Sequence, residues 1–103
     1  MTGPAAGTFS EAANGCYRLA GSLTMGTVTA LRESGLRAFN AGGGAIEVSL
    51  AEVGRADSGA LALLIDWLAW ARASGRTMKF TALPAALLAL ARLSDVEDLL
   101  TGR

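Results

Sequence analysis

Histidine is missing from the 103 residues, and cysteine occurs once, at Cys16. Those two gaps remove the Ser/His/Asp and Cys/His catalytic pairs, a zinc set of the Cys/His type and any disulfide framework. A single cysteine of this kind fits a reducing compartment. An excess of either charge is also missing: nine basic residues balance nine acidic ones, and charged residues make up only 17% of the chain. No Lys/Arg cluster is present, so a nucleic-acid partner is not expected. Long apolar runs are lacking as well. Asp66 interrupts the longest one well short of a membrane span, and the N-terminus has neither the basic nor the apolar region of a signal peptide. The expectation is a soluble cytoplasmic protein with no direct membrane insertion.

Apolar residues are abundant, at 51%, which for so short a chain suggests that some apolar surface meets a partner. The length allows one domain with a single core and no separate catalytic lobe. The most informative stretch is 54–72, where a polar turn opens into an apolar helix. Asp57 and Ser58 are suited to its N-terminus, because their side-chain oxygens can accept from the unpaired amides of the first turn. Leu61, Leu64, Ile65, Leu68 and Ala71 form one stripe that can be buried on a sheet. Ala60, Leu63, Trp67 and Trp70 form a second stripe roughly 130° away, one that a lone helix packed on one side of a small domain does not need.

In chain order, residues 1–7 read as a flexible leader and 8–103 as one domain. A first strand over 8–12 runs through Asn14-Gly15, a type I′ hairpin signal, into a second strand over 16–21. A helix follows over about 27–39, with Ser22 and Thr24 as candidate caps. Its apolar line is Val28, Leu31, Gly35 and Phe39, and Gly35 marks either a weak spot or a place of close packing. Gly42-Gly43-Gly44 looks superficially like a phosphate loop, but no Gly-Lys-Ser/Thr follows and a strand comes next, so it reads as a connector. That strand, 45–50, alternates Ile46, Val48 and Leu50 with polar Glu47 and Ser49. The central helix ends at Ser74-Gly75, with Arg72 and Arg76 near its negative end. A fourth strand over 76–83, a helix opening at Pro84 and a short helical turn at 96–100 complete the chain. Strand, helix and strand within about 35 residues is the span of a parallel right-handed crossover.

The order of elements, together with Val53-Gly54-Arg55-Ala56-Asp57-Ser58-Gly59-Ala60-Leu61-Ala62-Leu63-Leu64, resembles the STAS domain family over roughly residues 15–100. Asp57-Ser58 matches the Asp-Ser or Asp-Thr pair with which that family starts its central helix. The resemblance implies an α/β fold, a small mixed sheet of about four strands with helices packed around it. Two branches of the family compare differently with this chain. The SpoIIAA-type anti-sigma-factor antagonists read Asp-Ser-Ser-Gly-Leu-Gly, whereas here Gly59, Ala60 and Ala62 depart from that pattern. The MlaB-like subunits of phospholipid ABC transporters read closer to Asp-Thr-Gly-Gly-Leu-Ala-Leu-Leu, which residues 57–64 follow. The tail, with Phe80-Thr81-Ala82-Leu83-Pro84 and Val96-Glu97-Asp98-Leu99-Leu100, is also similar to the second branch. Ser49-Leu50-Ala51 replaces the family's common Asp-Leu-Ser, which takes away one carboxylate.

What the resemblance implies is a non-catalytic subunit that binds and regulates or stabilises the ATPase of an inner-membrane ABC transporter for phospholipids. Such a subunit would be cytoplasmic and reach the membrane only through its partner. The alternative it implies is an antagonist whose partner is an anti-sigma-factor serine kinase, switched by phosphorylation of Ser58. Neither role calls for a cofactor, a metal or catalytic residues. The partner surface expected is Asp57, Ser58 and Gly59 at the helix start, with Leu63, Trp67 and Trp70 as an apolar anchor. For Ser58 the competing role is a plain helix cap. For Leu63, Trp67 and Trp70 it is packing under neighbouring helices, and their large side chains favour the partner surface.

Overall fold

The computed structural model of the chain describes residues 7–101. Strand β1 (Thr8–Ala13) turns into β2 (Cys16–Leu23), followed by α1 (Val28–Ala41), β3 (Ile46–Ala56), α2 (Ser58–Ala73), β4 (Met78–Thr81), α3 (Ala85–Leu93) and α4 (Glu97–Thr101). The expected α/β domain with a four-stranded mixed sheet is what forms, in the order β1-β2-β3-β4. Strand β1 is antiparallel to β2, while β2, β3 and β4 are mutually parallel.

That order determines where the helices go. Two crossovers, β2-α1-β3 and β3-α2-β4, step in the same direction across the sheet, and right-handed connections then place both helices on one face. Burial agrees: Tyr17, Leu19, Leu23, Ile46, Val48, Leu50 and Phe80 are all buried, whereas Arg18, Ala20, Ser22, Glu47, Ser49, Lys79 and Thr81 on the opposite face are not. The helices therefore cover one side of the sheet and do not surround it. The polar face carries a cross-strand pair, Lys79 Nζ to Glu47 Oε1 at 3.9 Å.

Three local details differ from the sequence reading. In the hairpin Gly15 takes φ +79° while Asn14 stays out of the positive-φ region. A type I′ turn needs both, so the turn is of another kind and the ladder shifts register between Glu11 and Ala13. Strand β3 runs six residues past Leu50, because β2 continues to Leu23 and pairs with it through two register shifts. Helix α1 starts after Thr27, whose hydroxyl accepts from the Thr24 amide at 3.0 Å and donates to the Ser22 carbonyl at 2.9 Å. Of the leader, residues 1–6 lie outside the described residues. Gly7 is half-buried, and a Cβ on it would stand 2.8 Å from Leu31 Cδ1.

Both stripes of α2 are used inside the fold. Leu61, Leu64 and Ala71 are buried on one side; Ala60, Leu63 and Trp67 are buried on the other. The second side meets an aromatic cluster. The rings of Phe9, Tyr17, Phe39, Trp67 and Trp70 pack with centroids 5.2 to 5.7 Å apart, contacts that contribute about 0.5–1.5 kcal/mol each beyond area burial.

Candidate functional site

The site expected from sequence divides into two parts, which the structure separates. Asp57 directly follows β3 and is the N-cap of α2, in extended conformation at φ −128°, ψ −164°. Its Oδ1 accepts from the Gly59 amide at 2.7 Å, satisfying one of the open donors of the first turn. Its Oδ2 accepts from the Met25 amide at 3.3 Å, across 32 residues of sequence. The Asp57 amide donates to the Leu23 carbonyl at 3.2 Å. Asp57 thus joins the β2–α1 loop to the start of α2, and this is its role in the fold.

Ser58 is the first residue of α2 and is exposed. Its hydroxyl has no hydrogen-bond partner among the described residues. The cap is therefore Asp57, and Ser58 presents a free hydroxyl where the helix dipole favours negative charge. Gly59 is buried, because a Cβ there would stand 2.8 Å from Met25 N, 2.9 Å from Met25 Cα and 3.0 Å from Asp57 Oδ1. It belongs to the site as the residue that lets the Met25 backbone lie against the helix. It offers no surface of its own.

Leu63 and Trp67 are not at this site. Leu63 keeps 2% of its surface exposed and Trp67 none, so the expectation that they anchor a partner is corrected. Because α1 lies beside α2 on the same face of the sheet, the second stripe is what α1 and β1 pack on. The Trp67 Nε1 donates to the Arg32 carbonyl on α1 at 3.3 Å, giving the indole its one polar partner inside the fold. Trp70 is half-buried, tilted against Phe39 at 5.7 Å and covered by the Arg76 guanidinium at 5.5 Å. Arg76 also donates to the Gly44 carbonyl at 2.8 Å and to the Phe39 carbonyl at 2.9 Å. It thereby caps the C-terminal turn of α1, where the sequence suggested it would serve the end of α2.

What remains exposed on α2 is a narrow ridge of Ser58, Ala62, Asp66 and Ala69 that widens at the last turn to Arg72 and Ala73, with Asp66 paired to Arg32 at 2.9 Å. Sequence reasoning missed Met25. It is 69% exposed, beside the start of α2, on a loop too short in periodic signal to mark it. Ser49, at the departure from the family's Asp-Leu-Ser, points from the middle of β3 to the open face of the sheet, and its hydroxyl accepts from the Ala51 amide at 3.3 Å.

An exposed serine at the start of the helix that follows β3, on a four-stranded mixed sheet with its helices on one side, defines a STAS-type domain. The model of the family described as "Mlab, STAS domain" matches residues 10–101, nearly the whole chain. The protein belongs to this MlaB-like STAS family. No curated protein matches it. Among the described residues no helix is long and apolar enough to cross a membrane.

Proposed function

We propose that the chain is a non-catalytic subunit that docks on the ATPase of an inner-membrane ABC transporter for phospholipids and regulates or stabilises it. The observation that carries this reading is the exposed, hydrogen-bond-free hydroxyl of Ser58 within an Asp57–Leu64 sequence of the MlaB type, in a chain matched by the MlaB-like family. Docking there needs no rearrangement of the core, since Asp57 and Gly59 already hold the turn in place. The chain works in the cytoplasm and reaches the membrane through its partner, and ATP hydrolysis belongs to that partner.

Co-expression with the transporter ATPase subunit tests the reading. The complex should copurify, and Ser58→Asp should weaken it at least about tenfold while thermal unfolding stays nearly unchanged, because a carboxylate at this position suits the helix dipole. Undiminished binding by Ser58→Asp would remove the helix start from the interface.

The same free hydroxyl favours a second reading, in which Ser58 accepts phosphate from an anti-sigma-factor serine kinase and the domain acts as its antagonist. Incubation with such a kinase and ATP should add one phosphate at Ser58, detected by peptide mass. An unmodified Ser58 after the kinase has exhausted its ATP on a control substrate would count against it.

A further inference from the structure

We infer that Met25 is the apolar anchor by which this domain holds its protein partner, an inference that rests on docking at the start of α2. Large apolar side chains at 69% exposure gain nothing for the fold, yet the backbone of this one is fixed from three directions. The Met25 amide donates to Asp57 Oδ2. Thr27 closes the loop, its hydroxyl bonded to Thr24 and Ser22 and its amide donating to the Thr24 carbonyl at 2.8 Å. Gly59 carries no Cβ, which leaves room for Met25 N and Cα to sit on the first turn of α2. A side chain held at the surface before binding loses little backbone entropy on binding, and its unbranched thioether adapts to the shape of a pocket.

The charges around Met25 identify the kind of partner. Thr24, Gly26, Thr27 and Ser58 are neutral, and the Asp57 carboxylate that holds the Met25 amide has both oxygens already engaged. A membrane surface is reached by several apolar side chains flanked by lysine or arginine, and nucleic acid by a basic patch. Within residues 22–27 and 57–59 there is no lysine or arginine and no second exposed large apolar side chain. A single apolar residue in a neutral surround suits a shallow apolar pocket on a folded protein, with Ser58 at its rim.

The test uses the complete chain and the co-expressed ATPase subunit. Met25→Gln keeps the length of the side chain and removes its apolar end. It should lower affinity at least about tenfold, leave the urea midpoint unchanged, and be largely rescued by Met25→Leu. The chain has three methionines, so methyl-labelled protein gives a small set of assignable signals, of which that of Met25 should shift and broaden on adding the ATPase. If Ser58→Asp breaks the complex while Met25→Gln binds normally and its methyl signal in the native chain does not move, the anchor assignment is overturned and the docking site stands. If neither substitution affects binding, both are overturned.

Discussion

The indole of Trp67 occupies the space that a side chain at Gly35 would fill. A Cβ built on Gly35 would overlap Trp67 Cζ2 and stand 2.7 Å from Cε2, so α1 and α2 approach as closely as they do because α1 carries glycine at this one turn. Trp67 is fully buried there and its Nε1 reaches the Arg32 carbonyl.

This pair yields the sharpest stability prediction. Gly35→Ala should gain up to about 1 kcal/mol in helix propensity yet lose about 1–3 kcal/mol to overpacking, for a net loss seen as a lower urea midpoint. Trp67→Ala should cost about 3–5 kcal/mol and abolish partner binding only by unfolding the domain. A folded Trp67→Ala domain of unchanged stability would contradict the burial of the indole.

Asp57 carries two bonds with different consequences. Asp57→Ala should destabilise the domain by about 1 kcal/mol through loss of the α2 cap, and also release the Met25 amide. Asp57→Asn retains an acceptor for Gly59 and should recover most of that stability. Amide hydrogen exchange at Met25 and Gly59 checks this, since both amides should exchange faster in the alanine variant.

Arg76 links three elements through two carbonyls and the face of Trp70. Arg76→Met keeps the stem but loses these contacts, and should cost about 1–2 kcal/mol. Added salt should not reproduce the loss, because two of the three contacts are to neutral carbonyls.

The phenol of Tyr17 is held away from its ordinary ionisation. Burial first, and then the nearby Glu11 carboxylate, raise its phenol above the usual value of 10.0. A group whose folded pKa is raised contributes stability that is complete below the unfolded pKa and is lost as pH rises through the folded one. Stability should therefore fall as pH climbs past about 10, and Tyr17→Phe should flatten that fall. The chain has one tyrosine, so the ultraviolet signal of its phenolate reports the titration without overlap.

Much of the fold is already legible in the sequence. Alternation at Ile46, Val48 and Leu50, the glycine stops and the cap chemistry at Asp57 act over a few residues, and such local rules place each strand and helix in the right order, with only the end of β3 far from its expected position. The MlaB-type sequence after Asp57 likewise pointed to the start of α2. The far half of β3 was missed because its register comes from β2 and no alternation of its own marks it. The two stripes of α2 are plain in the sequence, but which one meets solvent is not a local property. It follows from the strand order β1-β2-β3-β4, which puts α1 beside α2 on one face of the sheet and turns Leu63 and Trp67 into core. For the same reason Met25 gave no signal. Its place beside Ser58 depends on an Asp57 carboxylate and a Gly59 backbone more than thirty residues away, contacts that only the folded chain brings together.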